Sequence, residues 1–546
     1  MDRRSTGGPG RVVIIGAGPT GLGAAYRLRE LGHENFIVLE RHPYIGGLAS
    51  SFTDDKGFTW DIGGHVMFSH YPYYDRLFEK VMGEDFTLND RESWVRMFDT
   101  WVPYPFQNNI RYLPKEAACE CLVGLVQAQS GKGKFKSHTE ATNFGEFIDA
   151  VFGEGIAKHF MRPYNFKVWA YPPERMNKQW IGERVAVLDV DRAIRNIVLE
   201  KDDYGWGPNN KFKFPLKGGT GEFYRRIGQR IMDKIRLNAA VASIDVDAKL
   251  ITLTDGSTES YDTLISAMPV DLLCKDILTG NVPTHVRDES QRLLHSSGYM
   301  VGIGIKRPCP STKSWMYFPE SNCPFYRVTY LSNYSPYMTP EPYTTDATGR
   351  RNGTHYSLLC ETSQSDAKPV DGSRIIEDTI TGLENAGLLE PGERDDIVST
   401  WVYHADYSYP TPSVERDQIL SVVIPWLESR SIYSRGRFGL WKYEVSNTDH
   451  TLMQGVEVVN RLILGEPEVT TGIVYATTED GREAATHERS TVAGSGEKKL
   501  TEAKPGHSAT TGSSGHSPEI VVKATSGTSA KADADHSEEE LGVGGG

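Results

Sequence analysis

The strongest constraint on the fold lies in the first forty residues. Val12 to Ile15 is a short apolar run, Gly16-Ala17-Gly18-Pro19-Thr20-Gly21 follows it, and Leu22 to Leu31 carries a helical pattern. Phe36 to Leu39 is a second apolar run, and it ends at Glu40. Strand, glycine turn, helix and strand in that order predict a βαβ unit. Each glycine has its own reason to be there. Gly16 permits a tight turn, Gly18 lets the backbone approach a pyrophosphate, and Gly21 lets the helix pack closely on the strand. The positive end of the helix favours the bound anion, and Glu40 is placed to accept from a ribose hydroxyl. A glycine-rich turn alone is common. With the strands, the helix and the terminal acid around it, the segment predicts a dinucleotide-binding α/β domain.

After Glu40 the chain continues Arg41-His42-Pro43-Tyr44-Ile45-Gly46-Gly47, so the acid is followed by a second glycine pair. Here the sequence resembles the large flavoprotein group that includes the amine oxidases and the GDP-dissociation inhibitors. That resemblance, and not the spacing, favours FAD over NAD; the alternative is that Gly46 and Gly47 simply end a strand in a turn. A third glycine pair, Gly63-Gly64, stands directly before His65. A single histidine is more often an ordinary core or surface residue than a catalyst, so its placement against the glycines is what singles it out.

Composition bounds the rest. With 546 residues, 38% of them hydrophobic, the chain can bury a large core in two or three units. No stretch approaches the ~18 consecutive apolar residues of a membrane helix, and the polar opening MDRRSTGGPG does not resemble a secretory signal. The expectation is a cytoplasmic protein without membrane partners. Six cysteines, at 119, 121, 274, 309, 323 and 360, are too few for a disulfide scaffold, and Cys119-x-Cys121 lacks zinc-ligand spacing, so reduced thiols and no metal are expected. A net charge of −13 argues against a nucleic-acid surface. An anionic substrate must therefore be met by local arginines. From about Thr478 onward no aromatic residue remains, and the tail reads as disordered.

Several blocks suggest a pocket on local physics alone. In Met161 to Ala170, Pro163 suits a first helical turn and sets Asn165 and Trp169 four apart on one face. Trp315 and Tyr317 alternate on a strand from Ser314 to Phe318, and Phe325, Arg327 and Thr329 do so on the next. For any one of these aromatics, plain core packing is the alternative. Arginine is harder to dismiss, since a guanidinium is rarely buried unpaired and matches phosphate bidentately.

The string GGHVMFSH (63 to 70), with WVPYPFQNNI (101 to 110), MRPYNFKVWA (161 to 170), GERVA (182 to 186), NCPFYRVTYLSNYSPY (322 to 337), YPTP (409 to 412) and RGRFGLWKYEVSNTDH (435 to 450), resembles the eukaryotic, fungal-type UDP-galactopyranose mutases in the family's order. The resemblance covers roughly residues 10 to 465. It implies that Arg184 and Arg327 meet the two phosphates of UDP-galactose, helped by the hydroxyls of Tyr317, Tyr334, Tyr409 and Tyr443. Tyr104, Phe106 and Gln107 would hold the uracil, and Asn165, Trp169 and Asn209 the ribose or sugar end, with Phe160, Trp315 and Asn447 completing the substrate set. FAD would lie along Gly16, Gly18, Gly21, Glu40, Gly46, Gly47, Gly64, His65, Asn447 and Thr448, with Arg437 at its pyrophosphate. Asn447-Thr448-Asp449 would open a helix from His450 to about Leu462, its positive end near the flavin pyrimidine edge.

The resemblance also implies the chemistry. Reduced FAD attacks the anomeric carbon through N5 and displaces UDP; the sugar ring contracts or expands with no net redox change, supplying galactofuranose for cell-wall glycans. NADPH or NADH would be the reductant, at the same cleft. His65 has no proton to transfer in this scheme and would sit on a loop that adjusts to the flavin oxidation state. Two alternatives stay open: an FAD-dependent amine oxidase or desaturase, and a non-catalytic prenyl-GTPase chaperone of the dissociation-inhibitor kind. The expected fold is α/β, an FAD-binding Rossmann-like domain with an inserted helical domain and an antiparallel β-sheet domain. The FAD domain would come from 1–90, 206–290 and 431–478, the helical domain from 108–205, the substrate domain from 291–430, and the tail from 479–546. A homo-oligomer is compatible with all of this.

Overall fold

The computed structural model describes residues 9–181, 185–186, 188–203, 210–346, 351–472, 474–477 and 483–486. The apolar run Val12–Ile15 is a fully buried strand at the centre of a five-stranded parallel sheet. Its neighbours are Thr263–Ser266 on one side and Phe36–Leu39 on the other. Ile432–Ser434 and Ile235–Arg236 form the two edges. Continuous apolar strands are what a sheet covered on both faces requires. Val12 and Ile14 pack with Leu22, Leu28, Val456 and Val459 on one face. Val13 and Ile15 pack with Ile419, Leu420, Val423 and Ile424 on the other. Burial of each such side chain contributes about 1.5–3 kcal/mol. The sheet thus gathers strands from three separated stretches of the chain.

Two helices on the first face approach backbone to backbone. A Cβ on Gly455 would lie 2.0 Å from the Thr20 carbonyl oxygen, and one on Gly23 would lie 2.4 Å from that of Leu452. Thr20 Oγ1 also donates to the Leu452 neighbour Thr451, at its carbonyl, over 2.8 Å. The helix Thr448–Leu464 is therefore fixed against Pro19–Glu30, the helix of the βαβ unit. It begins two residues earlier than the sequence suggests. Asn447 is its N-cap but makes no side-chain cap bond, while the Asp449 carboxylate turns to His70, accepting from its backbone N–H at 3.2 Å and meeting its Nδ1 at 2.8 Å.

The second layer is a seven-stranded sheet in the order Ile397–Pro410, His295–Ile305, Tyr356–Gln364, Arg327–Tyr330, Trp315–Tyr317, Ser93–Met97 and Thr100–Pro103. All pairs are antiparallel except Trp315–Tyr317 with Ser93–Met97. The sequence reading finds the three middle runs but not Ile397–Pro410, whose alternation of buried and exposed residues is irregular. One expectation fails here. Phe325 does not share a face with Arg327: the strand starts at Arg327, the chain bends at Tyr326, and Phe325 packs with Val328 instead.

Between these layers in sequence lie the helices Lys115–Gln129, Phe144–Ile156, Arg162–Trp169 and Val190–Val198. Pro163 stands in a first turn, yet that turn continues a π-helical segment, Ala157–Met161, without a break. The Pro/Thr/Gly-rich loop after Thr339 carries a short strand pair, Thr344–Thr345 with Arg351–Asn352. Towards the C-terminus Val474–Thr477 pairs with Glu483–Thr486. The rest of the tail lies outside the described residues. All six cysteines are free, and among the described residues no helix is long and apolar enough to cross a membrane. The fold is mixed α/β.

Candidate functional site

The first part of the site is the glycine turn. Gly16 has a φ of +96°, and a Cβ on Gly21 would lie 1.8 Å from the Gly16 carbonyl oxygen, so neither position accepts a side chain. Gly18 caps the helix Pro19–Glu30 with no side chain of its own, leaving the helix N-terminus bare. The second glycine pair belongs to the same cradle. Gly46 N–H donates to the Ala17 carbonyl over 2.8 Å, and a Cβ on Gly47 would lie 3.2 Å from the Gly18 Cα. Glu40 accepts from the backbone N–H groups of Ala17 at 2.7 Å and His42 at 2.9 Å. A carboxylate has about four acceptor sites, so capacity for a ribose hydroxyl remains.

Leu48, next to Gly47, lines a cavity of about 290 Å³ set against the seven-stranded sheet. Gly63, Gly64, His65 and Val66 form one wall, Asn447 and Thr448 another, and Tyr104, Tyr317, Arg327, Glu361, Tyr409, Arg437 and Tyr443 supply most of the polar lining. The sheet register explains the grouping. Tyr317 stands opposite Arg327, Arg327 opposite Glu361, and Glu361 opposite Met300, so four residues of the lining form one row across four strands.

Arg327 donates to Glu361 through Nε at 2.7 Å and Nη2 at 2.8 Å. Burial works against the arginine's charge, but Glu361 outweighs it and raises the pKa well above the ordinary value. Burial likewise pushes Glu361 up, and Arg327 with the donors Tyr326 and Gly64 brings it below the usual carboxylate range. Both groups are ionised. Arg437 stacks over the Tyr409 ring at 4.7 Å and donates to the Ser408 carbonyl at 2.8 and 3.1 Å. Burial raises the phenols of Tyr104, Tyr317 and Tyr409, which stay protonated donors. Burial, together with Arg437 and Arg327, lowers His65 to about 4, and its Nδ1 is buried without a hydrogen-bond partner among the described residues. His65 is a neutral imidazole at neutral pH.

The structure thus brings together Gly64, His65, Tyr104, Tyr317, Arg327, Tyr409, Arg437, Tyr443, Asn447 and Thr448. Others stand one layer behind. Trp169 packs its ring on Tyr443 at 4.6 Å and Tyr409 at 5.8 Å, and Trp315 Nε1 donates to the Tyr317 hydroxyl over 2.7 Å. Tyr334 is 1% exposed against Phe212 and Phe214. Phe106 stacks on Phe160 at 4.4 Å, Gln107 donates to the Ala186 carbonyl over 2.5 Å, and Asn165 donates back to Met161 within its helix. Arg184 and Asn209 lie outside the described residues. The sequence reading misses Glu361, Met300 and Arg91, whose guanidinium lies 5.5 Å over the Tyr104 ring. Glu361 leaves a trace all the same, as a lone acid closing the apolar run Leu358-Leu359-Cys360.

A glycine cradle that Cβ atoms would fill, a bare helix N-terminus and an orphaned histidine nitrogen at the far end fit an extended dinucleotide. The sequence pattern of the flavin containing amine oxidoreductases matches residues 19–425. A crystal structure of a reduced UDP-galactopyranose mutase is 45% identical, covers 85% of this chain and 97% of that one, and superposes with a TM-score of 0.79. A putative protoporphyrinogen oxidase from Exiguobacterium sp. 255-15 shares the fold, with a TM-score of 0.59 at 16% identity over 84% of this chain and 99% of that one. The 15-cis-phytoene desaturase of Capsicum annuum is 36% identical over 294 residues, 48% of this chain and 47% of the desaturase. The L-amino acid oxidase of Cerastes cerastes is 26% identical over 263 residues, 46% of this chain and 48% of the oxidase. The chain spans about half the length of the curated relatives it matches. With three quarters of its length matched and the cradle intact, the chain belongs to the flavin containing amine oxidoreductase family.

Proposed function

We propose that the protein is a UDP-galactopyranose mutase that interconverts UDP-α-D-galactopyranose and UDP-α-D-galactofuranose with no net redox change. One observation carries the reading: a half-buried, charged guanidinium, Arg327, opens on the same cavity as His65 and Asn447. An amine oxidase or desaturase removes hydride from its substrate and has no use for that cation among phenol donors. A dissociation-inhibitor chaperone need hold no flavin and has no use for the cradle. The 45% identity to a mutase, against 16% for an oxidase on the same fold, supports the choice.

When bound in its reduced form, the flavin supplies a nucleophilic N5 to the anomeric carbon. Everything else falls to the chain. Gly16, Gly18, Gly21, Glu40, Gly46 and Gly47 hold the dinucleotide, and the N-terminus of the helix Thr448–Leu464 stabilises negative charge at the pyrimidine edge. Arg327, with Arg184 as a second cation, stabilises the diphosphate as it departs, where charge develops. Tyr317 and Tyr409 donate to it as protonated phenols, the Tyr443 hydroxyl stands beside them, and Tyr104 borders the uracil end. Asn447 faces both ligands. His65 offers a polar edge without a third positive charge beside Arg327 and Arg437. NADPH or NADH delivers the reducing equivalents at the same cleft, and the galactofuranose made feeds cell-wall glycans.

The test is conversion. Purified protein reduced with dithionite should turn UDP-galactofuranose into UDP-galactopyranose, seen by chromatography, while the oxidised protein should not. A protein that is yellow as purified, is bleached by dithionite, binds UDP and yet converts nothing would sink the reading and bring the oxidase forward.

A further inference from the structure

We propose that Glu361 is a positioning residue that couples the anion site at Arg327 to the backbone of the His65 loop. The inference rests on the assignment of UDP and a flavin to this cavity. Glu361 is 2% exposed, beyond the reach of bulk water. Its Oε1 accepts from Arg327 Nε at 2.7 Å and from the Gly64 backbone N–H at 3.0 Å. Its Oε2 accepts from Arg327 Nη2 and from the Tyr326 hydroxyl, each at 2.8 Å. Four donors fill the roughly four acceptor sites of one carboxylate. Any change at one donor is felt by the other three.

The two ends of this link belong to different ligands. Of the five N–H groups of Arg327, two are spent on Glu361 and three remain, so the carboxylate grips one edge of the guanidinium and leaves the other for a diphosphate. At the opposite end, Gly64 sits so close to the Arg327 strand that a Cβ would lie 2.7 Å from Thr329 Oγ1. Gly63 before it holds a φ of +93°. The loop can move only by exchanging its bond to Glu361. A diphosphate that draws on Arg327 loosens the guanidinium's hold on the carboxylate, which then leans on its remaining donors, Gly64 N–H and Tyr326. Occupancy of the anion site thereby fixes the loop against Glu361. By linkage, whatever state of the flavin that loop position favours is also the state to which UDP binds more tightly, by one common factor.

The experiment uses the holoenzyme and UDP. UDP affinity is measured for oxidised and reduced protein under anaerobic conditions, and the flavin midpoint potential with and without saturating UDP. We expect affinities that differ at least about five-fold between the two states, within the usual span of coupling between sites, and a matching potential shift of ~30 mV per tenfold for a two-electron couple. Glu361→Gln should retain flavin and bind UDP with the ratio reduced toward one. Tyr326→Phe, which removes the carboxylate's neutral side-chain donor, should raise the ratio and needs no change at Glu361. Equal affinities in the wild type, a Glu361→Gln ratio equal to the wild-type ratio, or a Tyr326→Phe ratio that does not rise would each overturn the inference. Absence of UDP binding in both states would overturn it together with the UDP assignment. Normal coupling without sugar conversion would leave it standing and sink only the mutase reading.

Discussion

Arg327 and Glu361 face each other in register across neighbouring antiparallel strands, and two hydrogen bonds of 2.7 and 2.8 Å join them edge to edge. The pair makes the cavity's cation, itself half-buried, directed by a buried carboxylate. Without Glu361, the half-buried guanidinium would carry its desolvation cost without a counter-charge. With it, one edge is held and the other is presented.

Replacing Arg327 with alanine should lower kcat/KM for UDP-galactopyranose by about 100- to 1,000-fold, the effect of losing one donor at a site of developing charge, ~3 kcal/mol. Arg327→Lys should recover little of it, because an ammonium cannot hold Glu361 by two parallel bonds and still present a second edge. Steady-state kinetics on the reduced enzyme decide the matter. Wild-type turnover in Arg327→Ala would remove the residue from the site.

A second buried pair is structural. Arg416, 1% exposed, holds both oxygens of Glu444 at 2.7 and 2.9 Å and so anchors the turn Tyr443–Val445 that brings Tyr443 to the cavity. Arg416→Ala leaves a carboxylate buried without its cation and should cost about 3–5 kcal/mol, measured as a lowered urea midpoint. The double change Arg416→Met with Glu444→Leu should recover much of that loss. If the double variant is as unstable as the single, the cost lies in packing rather than in the stranded charge.

The lowered pKa of His65 sets a pH dependence with a definite sign. The unfolded chain takes up a proton at this position near pH 6.5, whereas the folded protein, whose value is pushed to about 4, does not. Between those two values the unfolded state binds more protons, so this residue's contribution makes stability fall as pH drops from 6.5 to 4 and leaves it level above. Denaturation midpoints across that range should slope less in His65→Gln than in the wild type. Imidazole signals from His65 that titrate near 6.5 in the folded protein would contradict the assignment.

How much of this was legible depended on whether local pattern or long-range register decided the matter. Val12–Ile15 with its glycine turn needs only neighbours in sequence, and the parallel strand, the helix and the Glu40 terminus all stand where the spacing puts them. The helix after Asn447 was legible for the same reason, although Asp449 turned to His70 and left Asn447 as a cap without a cap bond. Arg435 and Arg437, two residues apart, are not separable by local pattern, and only the family resemblance singles out Arg437. Arg435 is fully buried on Glu428 and Glu468, while Arg437 faces the cavity. Both are arginines beside glycines, and only the fold shows which carboxylates arrive from elsewhere. Glu361 was missed for a related reason: its partner lies 34 residues away, and nothing local to an acid in an apolar strand says where its cation is.

The helix Thr448–Leu464 meets the helix Pro19–Glu30 of the βαβ unit backbone to backbone. Gly455 lies where a methyl group would stand 2.0 Å from the Thr20 carbonyl oxygen and 2.8 Å from the Ala24 nitrogen, both rigid backbone atoms. Gly455→Ala must therefore push the helix Thr448–Leu464 away from Pro19–Glu30, and overpacking of this kind costs about 1–3 kcal/mol. Because the one helix begins at the glycine turn and the other at Asn447 and Thr448, the shift spreads the cradle and the cavity relative to each other. The expected result is a purified protein with a reduced flavin-to-protein absorbance ratio as well as a lowered melting temperature. Lower stability with full flavin content would mean that the helices yield along their length without moving their N-termini, and the cradle's geometry would then have to be maintained by the parallel sheet alone.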